Sequence, residues 1–354
     1  MKVDLFYLSP NPYGGWVTFT SHLMTALRAS GVDCELFKIR PRSERKKRDF
    51  GYGKRYRNIS LQEALGRKGK KLIVAGAKQF KEETETLYRA GACLVIHDPT
   101  ELKNLPENLD YTRCVSIRQI GARTLQGSVF IRHPYKCFSE EDPSSQTIVD
   151  YAEDGSANKS RWAAISDGIF LPQKRTRPCK AISTSRIDFD KHTSLLLDAN
   201  RLLNDEDKID IRGFENRIYT RFKIVPHYPE WVQSVAQYPR EESFAFEMMT
   251  NCTYNVDMTQ IKGDGGGTQY TWLEAWNAGC IPIIHDNWLL DQPDDMVPDE
   301  NCIVVGSAEE LAKVLSREEN HEKLAEMRQH CSEALALHSP ELIGQQYQIF
   351  LERF

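Results

Sequence analysis

Long apolar runs and paired cysteine motifs are both missing from this 354-residue sequence. Its longest apolar runs, at 72–77 and 281–284, fall far short of the roughly 20 residues that cross a bilayer. Residues 1–10 lack the apolar core and cleavage site of a signal peptide. The nine cysteines are scattered without a C-x-x-C pair, which indicates reduced thiols and offers no ligand pattern for zinc. We therefore expect a cytoplasmic protein with no membrane partner and no metal.

An overall excess of basic charge is also missing, since 46 Lys and Arg face 50 Asp and Glu, a net charge of −4. The exception is residues 38–71, here called the basic segment, with 14 basic and 3 acidic residues, a local +11 that leaves −15 for the remainder. Its cations can neutralise phosphates, and its interleaved aromatic rings can stack on bases. The alternatives are a solvated loop or an anionic lipid surface, but no Trp or Leu stripe accompanies the cations, so DNA ranks above membrane. The candidate DNA-binding residues are Arg45, Lys46, Lys47, Arg48, Lys54, Arg55 and Arg57, with Arg118 or Arg132 nearby.

Short β-type runs alternate with helical patterns, which predicts an α/β fold of parallel βαβ units with right-handed crossovers. The alternation restarts after a proline-containing linker at 171–178, so we expect two facing, Rossmann-like, doubly wound domains. These are an N-terminal domain at 1–172 and a C-terminal domain at 173–338, with a final helix at 339–354 packing back on the N-terminal domain. Ligands of such sheets bind beyond the carboxyl ends of the strands, here in the cleft between the domains. The predicted strands are 3–8, 34–39, 72–75, 93–96, 180–183, 209–212, 281–284 and 301–305, and the predicted helices are 16–30, 82–90, 192–204, 270–278, 308–337 and 340–354.

Three motifs at predicted strand ends suit a phosphorylated ligand. Gly14 and Gly15 let the backbone approach a phosphate, although a tight turn explains them equally well. Arg186 and Lys191 lie five residues apart around a turn into a helix, where two cations and the helix dipole suit a diphosphate. A solvated surface pair is the alternative for these two cations. The glycine-rich residues 263–267 run into a short helix whose N–H groups form an anion cradle.

The order and spacing of these motifs resemble the GT-B glycosyltransferases, especially the large retaining family that uses nucleotide sugars. The resemblance rests on the proline-containing lead into the Gly14-Gly15 pair, on Arg186 with Lys191, and on a Glu-Ala, Gly, Pro-Ile-Ile signature over residues 274–284. It implies that the N-terminal domain binds the acceptor and that the C-terminal domain binds a UDP-sugar donor. It also implies retention of configuration, and neither cofactor nor metal. The family has a glutamate eight residues before Glu274 that contacts the sugar, where this sequence has Gly266. The donor-binding residues that the resemblance implies are Gly14, Gly15, Arg186, Lys191, Gly213, Gln269, Tyr270, Thr271 and, for the ribose, Glu274.

Within that family, two further matches are similar to the phage DNA α-glucosyltransferases. A Tyr-Thr-x-Leu-Glu lead occupies residues 270–274, and His97-Asp98 follows a predicted strand. Such a pair can orient an acceptor hydroxyl and shuttle its proton, although Asp98-Pro99 also reads as a turn. The resemblance implies a hydroxymethylated pyrimidine in duplex DNA as acceptor, 5-hydroxymethylcytosine first, with Asp98, His97, Arg186 and Lys191 as catalytic residues. The alternatives are transfer to a lipid-linked or cell-surface glycan, transfer to a protein, and an inactive GT-B domain that only binds DNA.

Overall fold

The computed structural model shows two sheets of mainly parallel strands with helices against them. It describes residues 1–10, 14–97, 101, 109–118, 125–138, 179–213, 215–230, 235–236, 242–260, 268–291 and 295–354. The predictions for Asp98, Gly266, the linker at 171–178, the boundary at 172 and the glycine-rich residues 263–267 lie outside these ranges.

The first sheet, with its helices, forms the N-terminal unit. Its strand order is β3-β4-β2-β1-β5-β6-β7-β8, and all neighbours are parallel except β3 and β4, an antiparallel hairpin at one edge. The central strand β1 is buried on both faces, as expected for a parallel sheet covered by helices on each side. The strands are β1 (Lys2–Leu8), β2 (Asp33–Ile39), β3 (Lys47–Gly51), β4 (Lys54–Ile59), β5 (Lys70–Gly76), β6 (Cys93–Ile96), β7 (Cys114–Ser116) and β8 (Val129–Phe130).

The second sheet, with its helices, forms the C-terminal unit. Its strand order is β11-β10-β9-β12-β13-β14, and every pair is parallel. The order steps outward from β9 in both directions, which is the doubly wound arrangement that the alternation predicted. The strands are β9 (Cys179–Ser183), β10 (Asp210–Arg212), β11 (Val235–Ala236), β12 (Cys252–Asp257), β13 (Ile281–His285) and β14 (Ile303–Val305).

Every predicted helix is present, but the helices at 61–66, 217–219 and 242–250 were not predicted. The predicted helix at 308–337 is two helices, because Asn320 accepts a hydrogen bond from the backbone N–H of Lys323 and so caps a new helix. The helices are α1 (Gly15–Ala29), α2 (Leu61–Gly66), α3 (Lys81–Arg89), α4 (Thr193–Leu202), α5 (Arg217–Tyr219), α6 (Glu242–Thr250), α7 (Tyr270–Asn277), α8 (Ala308–Leu315), α9 (His321–Ala336) and α10 (Pro340–Glu352). Helix α5 continues as a π-helical turn over Thr220–Ile224.

The last helix, α10, packs against α1 in the N-terminal unit. Ile343, Tyr347 and Phe350 are buried in the same cluster as the apolar face of α1. A Cβ atom on Gly344 would lie 2.0 Å from the carbonyl oxygen of Ala26, so this close crossing requires glycine. The helix that follows the C-terminal unit in sequence therefore completes the core of the N-terminal unit.

None of the helices within the described ranges combines the length and the hydropathy needed to cross a membrane.

Candidate functional site

Lys191, in the loop between β9 and α4, is held inside a polar cluster. Its side chain is buried, its Nζ donates a 2.8 Å hydrogen bond to Thr259 Oγ1, and it lies 3.8 Å from Asp257 Oδ2. Asp257 ends β12 and accepts a 2.9 Å hydrogen bond from Thr271 Oγ1, in the first turn of α7. The cluster therefore joins the carboxyl end of a central strand to the positive end of a helix dipole, where anions bind.

Asp257 stays ionised although it is buried. Burial alone would raise its pKa, but the Lys191 ammonium and the hydrogen bonds from Thr259 and Thr271 outweigh burial and lower it. The Thr259 backbone N–H donates to Asp257 Oδ1 over 3.0 Å, and the Thr259 hydroxyl donates to the same oxygen. The sequence motifs identified Lys191 and Thr271 but missed Asp257 and Thr259, because no motif marks the strand that Asp257 ends.

Arg186, the second predicted phosphate cation, has different partners. Its side chain is 54% exposed, with Nη1 donating to Asp188 Oδ2 over 2.6 Å and Nη2 donating to Asp190 Oδ2 over 2.9 Å. Arg186 and Lys191 thus belong to one loop, but Arg186 is exposed and paired with carboxylates, whereas Lys191 is buried. Exposed ion pairs contribute little stability, so a phosphate can replace these carboxylates at small cost.

The remaining predicted donor residues lie at the same edge of the C-terminal sheet. Gly213 follows β10, and a Cβ atom there would lie 2.0 Å from the Ser185 carbonyl oxygen, so this glycine lets β10 approach the loop that carries Arg186. Gln269 is the N-cap residue of α7, and its carbonyl oxygen accepts a 3.1 Å bond from the Trp272 N–H. Glu274 lies in the second turn of that helix and is partly exposed.

Gly14 and Gly15 open α1 in the N-terminal unit. Gly14 adopts a left-handed φ of 98°, and α1 carries no acidic side chain in its first turn. Among the described residues, nothing lies within 4 Å of a Cβ atom built on either glycine. This helix start is therefore suited to the close approach of an anionic group.

His97, directly after β6, is a neutral imidazole. Its Nε2 lies 2.6 Å from the Val74 carbonyl oxygen, and its ring meets the Phe19 ring edge to face at 4.6 Å. Burial lowers the pKa of His97 to about 4, although the Val74 carbonyl opposes the shift. Because a carbonyl oxygen can only accept, the proton resides on Nε2 and leaves Nδ1 as the acceptor. The predicted partner Asp98 lies outside the described residues.

Arg118 and Arg132, which are predicted to lie near the DNA-binding residues, form hydrogen bonds or ion pairs with other groups of the chain. Arg118 donates from Nε to the His97 carbonyl oxygen over 2.7 Å. Arg132 donates from Nε to Asp295 Oδ1 over 2.7 Å, an ion pair between the two units. Asp295 is buried, which opposes its charge, yet His338, Arg132 and Thr268 together hold its pKa well below the usual range.

The start of α7 also contacts α1 directly. The Tyr270 ring stacks on the His22 ring at 5.3 Å with an interplanar angle of 15°. The Tyr270 hydroxyl donates to the Pro134 carbonyl oxygen over 3.2 Å. The predicted donor helix is thereby fixed against both the first helix of the N-terminal unit and the segment after β8.

The basic segment is mostly regular structure rather than a loop: it contains the end of β2, the β3–β4 hairpin, α2 and the start of β5. Most of its predicted DNA-binding cations have carboxylate partners: Lys47 with Glu35, Arg48 with Glu44, Arg55 with Asp49, and Arg57 with Glu63. Lys54, the first residue of β4, is partly buried. Arg45 and Lys46 are exposed, and within the described part of the chain neither has a carboxylate partner, so these two are the most available for phosphate.

Within the described residues, no group of three or more His, Cys, Asp or Glu side chains is arranged to hold a metal ion.

Comparison with known proteins gives a likeness in structure without one in sequence. No protein-family model matches the chain, and no curated protein sequence matches it. Among solved structures, HepE of Anabaena in complex with UDP-glucose matches over 100% of both chains, with a TM-score of 0.65 at 13% identity. The lipopolysaccharide outer core galactosyltransferase WaaB matches over 100% of this chain and 99% of its own, with a TM-score of 0.60 at 12% identity. An α-glucosyltransferase in complex with UDP and a 13-mer DNA containing an HMU base matches over 99% of both chains, with a TM-score of 0.59 at 12% identity.

These likenesses establish the fold. The chain has the GT-B fold, with two sheets of mainly parallel strands, as the order of its motifs predicted.

Proposed function

We propose that this protein is a glycosyltransferase that uses a UDP-sugar as donor. The observation that carries the proposal is the Lys191, Asp257 and Thr271 cluster at the N-terminus of α7, since a cation and a helix dipole meet there at the carboxyl edge of a doubly wound sheet. Structural neighbours with the same fold are described in complex with UDP or UDP-glucose.

The donor diphosphate would lie between the start of α7 and the loop that carries Arg186 and Lys191. Both cations and the N–H groups at the start of α7 would stabilise the negative charge that develops on the departing UDP. Gly15, at the start of α1, would bring a second helix dipole to the same phosphates. The remaining donor contacts come from Gly213, Gln269 and Tyr270, with Glu274 accepting hydrogen bonds from the ribose hydroxyls.

His97 would position the acceptor hydroxyl. With a pKa of about 4, its Nδ1 is a hydrogen-bond acceptor and a weak base, which suits orientation of the hydroxyl better than removal of its proton. The acceptor oxygen attacks the anomeric carbon, the bond from that carbon to the UDP oxygen breaks, and the hydroxyl proton passes to the departing diphosphate. The product retains its configuration. Because cations of the protein would neutralise the leaving phosphate, we propose that the reaction needs no metal. We also propose that Asp98, the residue after His97, acts with it on the acceptor and the sugar.

The acceptor we propose is a hydroxymethylated pyrimidine in duplex DNA. The basic segment supports this, because it presents exposed cations on a hairpin at the edge of the unit that carries His97. Its carboxylates pair with its own cations through exposed bridges, which phosphates can replace. One neighbour of the same fold is described with UDP and DNA that contains an HMU base.

Transfer of label from a panel of radiolabelled UDP-sugars tests both parts of the proposal. We expect label in duplex DNA that contains 5-hydroxymethylcytosine and none in unmodified DNA of the same sequence. Label in a bacterial lipid extract with none in DNA would overturn the proposal of a DNA acceptor but not that of a UDP-sugar donor. Failure of every UDP-sugar to bind or react would overturn the donor assignment itself.

A second experiment tests the basic segment. We expect Arg45→Gln with Lys46→Gln to weaken duplex binding and to reduce the slope of log affinity against log salt by about 0.9 for each phosphate that is no longer neutralised. The matched control is Arg201→Gln, which removes an exposed cation of the C-terminal unit that pairs with Glu230 and should leave the slope unchanged. Fluorescence anisotropy over a salt series measures both. An unchanged slope in the double variant would remove the basic segment from the DNA interface.

A further inference from the structure

Ile218, Phe222 and Val225 form an apolar stripe on the surface of the C-terminal unit. Their exposed fractions are 63%, 62% and 44%. They lie on α5, on its π-helical turn and in the residues just after it, with spacings of four and three that place them on one side of a helical segment. Single exposed apolar side chains are ordinary, but a contiguous group rimmed by polar residues marks a contact surface.

The opposite side of this segment fixes its orientation. Tyr219, Ile224 and Tyr228 are buried in the core of the C-terminal unit. At its start, Asn216 caps α5 and donates from Nδ2 to Asp188 Oδ1 over 2.8 Å. Because the inward positions are filled, the apolar stripe cannot turn inward, and its exposure is a property of the fold.

Three exposed cations flank the apolar stripe, namely Arg217, Arg221 and Lys223. Residues 216–229 contain no Asp or Glu, and in the described part of the chain these cations form no salt bridge. In the basic segment, by contrast, Arg48 and Arg55 each pair with a carboxylate. The stripe thus combines uncovered apolar area with uncompensated positive charge.

We propose that the apolar stripe and its three cations bind an anionic phospholipid surface. Side chains such as Phe222 would enter the boundary between headgroups and acyl chains, while Arg217, Arg221 and Lys223 would meet the lipid phosphates. Duplex DNA would match the charge but would leave most of the apolar area in water, so a bilayer surface is the better complement. The inference goes beyond the proposed function, because it concerns a surface of the C-terminal unit rather than donor or acceptor chemistry.

This proposal revises the expectation of no membrane partner. That expectation came from the absence of long apolar runs and from the basic segment, which lacks an apolar stripe. The structure places an apolar stripe with flanking cations in the other unit, on a segment whose sequence does not show a regular helical pattern.

Vesicle sedimentation of the full chain tests the proposal. We expect binding to phosphatidylcholine vesicles that contain phosphatidylglycerol and none to phosphatidylcholine alone. Replacing the three cations (Arg217→Gln, Arg221→Gln and Lys223→Gln) should weaken that binding by about a hundredfold, since each cation near an anionic surface contributes roughly a fivefold gain in affinity. The apolar double variant, Ile218→Ser with Phe222→Ser, should weaken it as well.

The matched control is Ile349→Ser, which removes an exposed isoleucine of α10, 57% exposed, far along the chain from these cations. It should bind vesicles as the unmodified chain does. The proposal is overturned if anionic vesicles do not bind, if both stripe variants bind them normally, or if the control loses binding equally. Loss of duplex affinity in the stripe variants with vesicle binding unchanged would also overturn it, and would assign the stripe to nucleic acid.

Discussion

Lys191 and Asp257 show how a proposed binding group can also contribute to stability. The pair is buried at the end of β12, and each charge is tolerated there because the other lies 3.8 Å away. Two threonines complete the cluster by donating to the carboxylate or accepting from the ammonium. An anionic ligand at this point would meet a lysine that is already oriented, which limits the side-chain entropy lost on binding.

Removing only the lysine should therefore affect two properties. We expect Lys191→Met to lower the free energy of unfolding by about 3–5 kcal/mol, because Asp257 is left buried and unpaired, and to weaken UDP binding. The double variant with Asp257→Asn should recover most of the stability but little of the UDP affinity. Urea denaturation and calorimetric titration with UDP separate the two. A double variant that binds UDP normally would contradict the role assigned to Lys191.

The buried imidazoles predict a pH dependence of stability. Burial lowers the pKa of His97 to about 4 and that of His22 to about 3, whereas an unfolded chain takes up these protons near pH 6.5. The unfolded state then binds more protons below that pH, so stability is full above it and declines as the pH falls.

Between about pH 6.5 and 4, we expect His97 to reduce the free energy of unfolding by about 1.4 kcal/mol for each pH unit. Denaturation curves over this range measure the slope. His97→Gln should make the slope shallower, because it removes a proton that the unfolded chain takes up more readily than the folded chain. A slope that His97→Gln leaves unchanged would show that His97 takes up its proton as readily in the folded chain.

At the scale of elements, the longer helices and the longer apolar strands could be predicted from the sequence. The polar strands, the shortest strands and the helices α2, α5 and α6 could not. Residues 93–96 match β6 as predicted, and predicted helix 270–278 is one residue longer than α7. The missed strands β3 and β4 are highly charged, so no apolar alternation marks them. Strand β12 was missed because Asn255 and Asp257 interrupt its apolar pattern, although both are buried.

The candidate site, too, could be predicted only in part from the sequence. Lys191 and Thr271 lie in motifs whose spacing along the chain is recognisable. Asp257 and Thr259 belong to no such motif, and only the pairing of β12 with β9 and β13 brings them to the loop that carries Lys191.

The crossing of α1 and α10 is sensitive to a single methyl group. We expect Gly344→Ala to lower the free energy of unfolding by about 1–3 kcal/mol or more, because its Cβ would lie 2.0 Å from the Ala26 carbonyl oxygen and must push the helices apart. The matched control is Gly66→Ala at the end of α2, where nothing among the described residues lies within 4 Å of the added Cβ. Thermal unfolding distinguishes them. Equal melting temperatures for both variants would contradict the close crossing.

At the scale of the whole molecule, the two units are joined by buried polar contacts as well as by the chain. Arg132 and Asp295 form an ion pair from one unit to the other. His338 donates from Nδ1 to the His133 carbonyl oxygen over 2.7 Å and lies 3.4 Å from Asp295. Thr268, one residue before the N-cap of α7, also donates to Asp295. The position of α7, the proposed donor-binding helix, is therefore coupled to the contact between the units.

We expect Arg132→Leu to lower the free energy of unfolding by about 3 kcal/mol, because Asp295 would remain buried with one partner fewer. Hydrogen exchange at the start of α7 should become faster in this variant. The control is Arg201→Leu, which removes an exposed pair with Glu230 and should cost less than about 1 kcal/mol. Similar losses in the two variants would mean that the ion pair between the units stabilises the fold no more than an exposed ion pair does.

The docking of α10 on α1 also bears on the order of events during synthesis. The ribosome makes the strands of the N-terminal unit first, but Ile343, Tyr347 and Phe350, which close their core, emerge only after the whole C-terminal unit. An apolar face of the N-terminal unit therefore stays uncovered while the C-terminal unit is translated. We infer that the C-terminal unit can reach its final packing first, and that the nascent N-terminal unit is the part of this chain most dependent on chaperones.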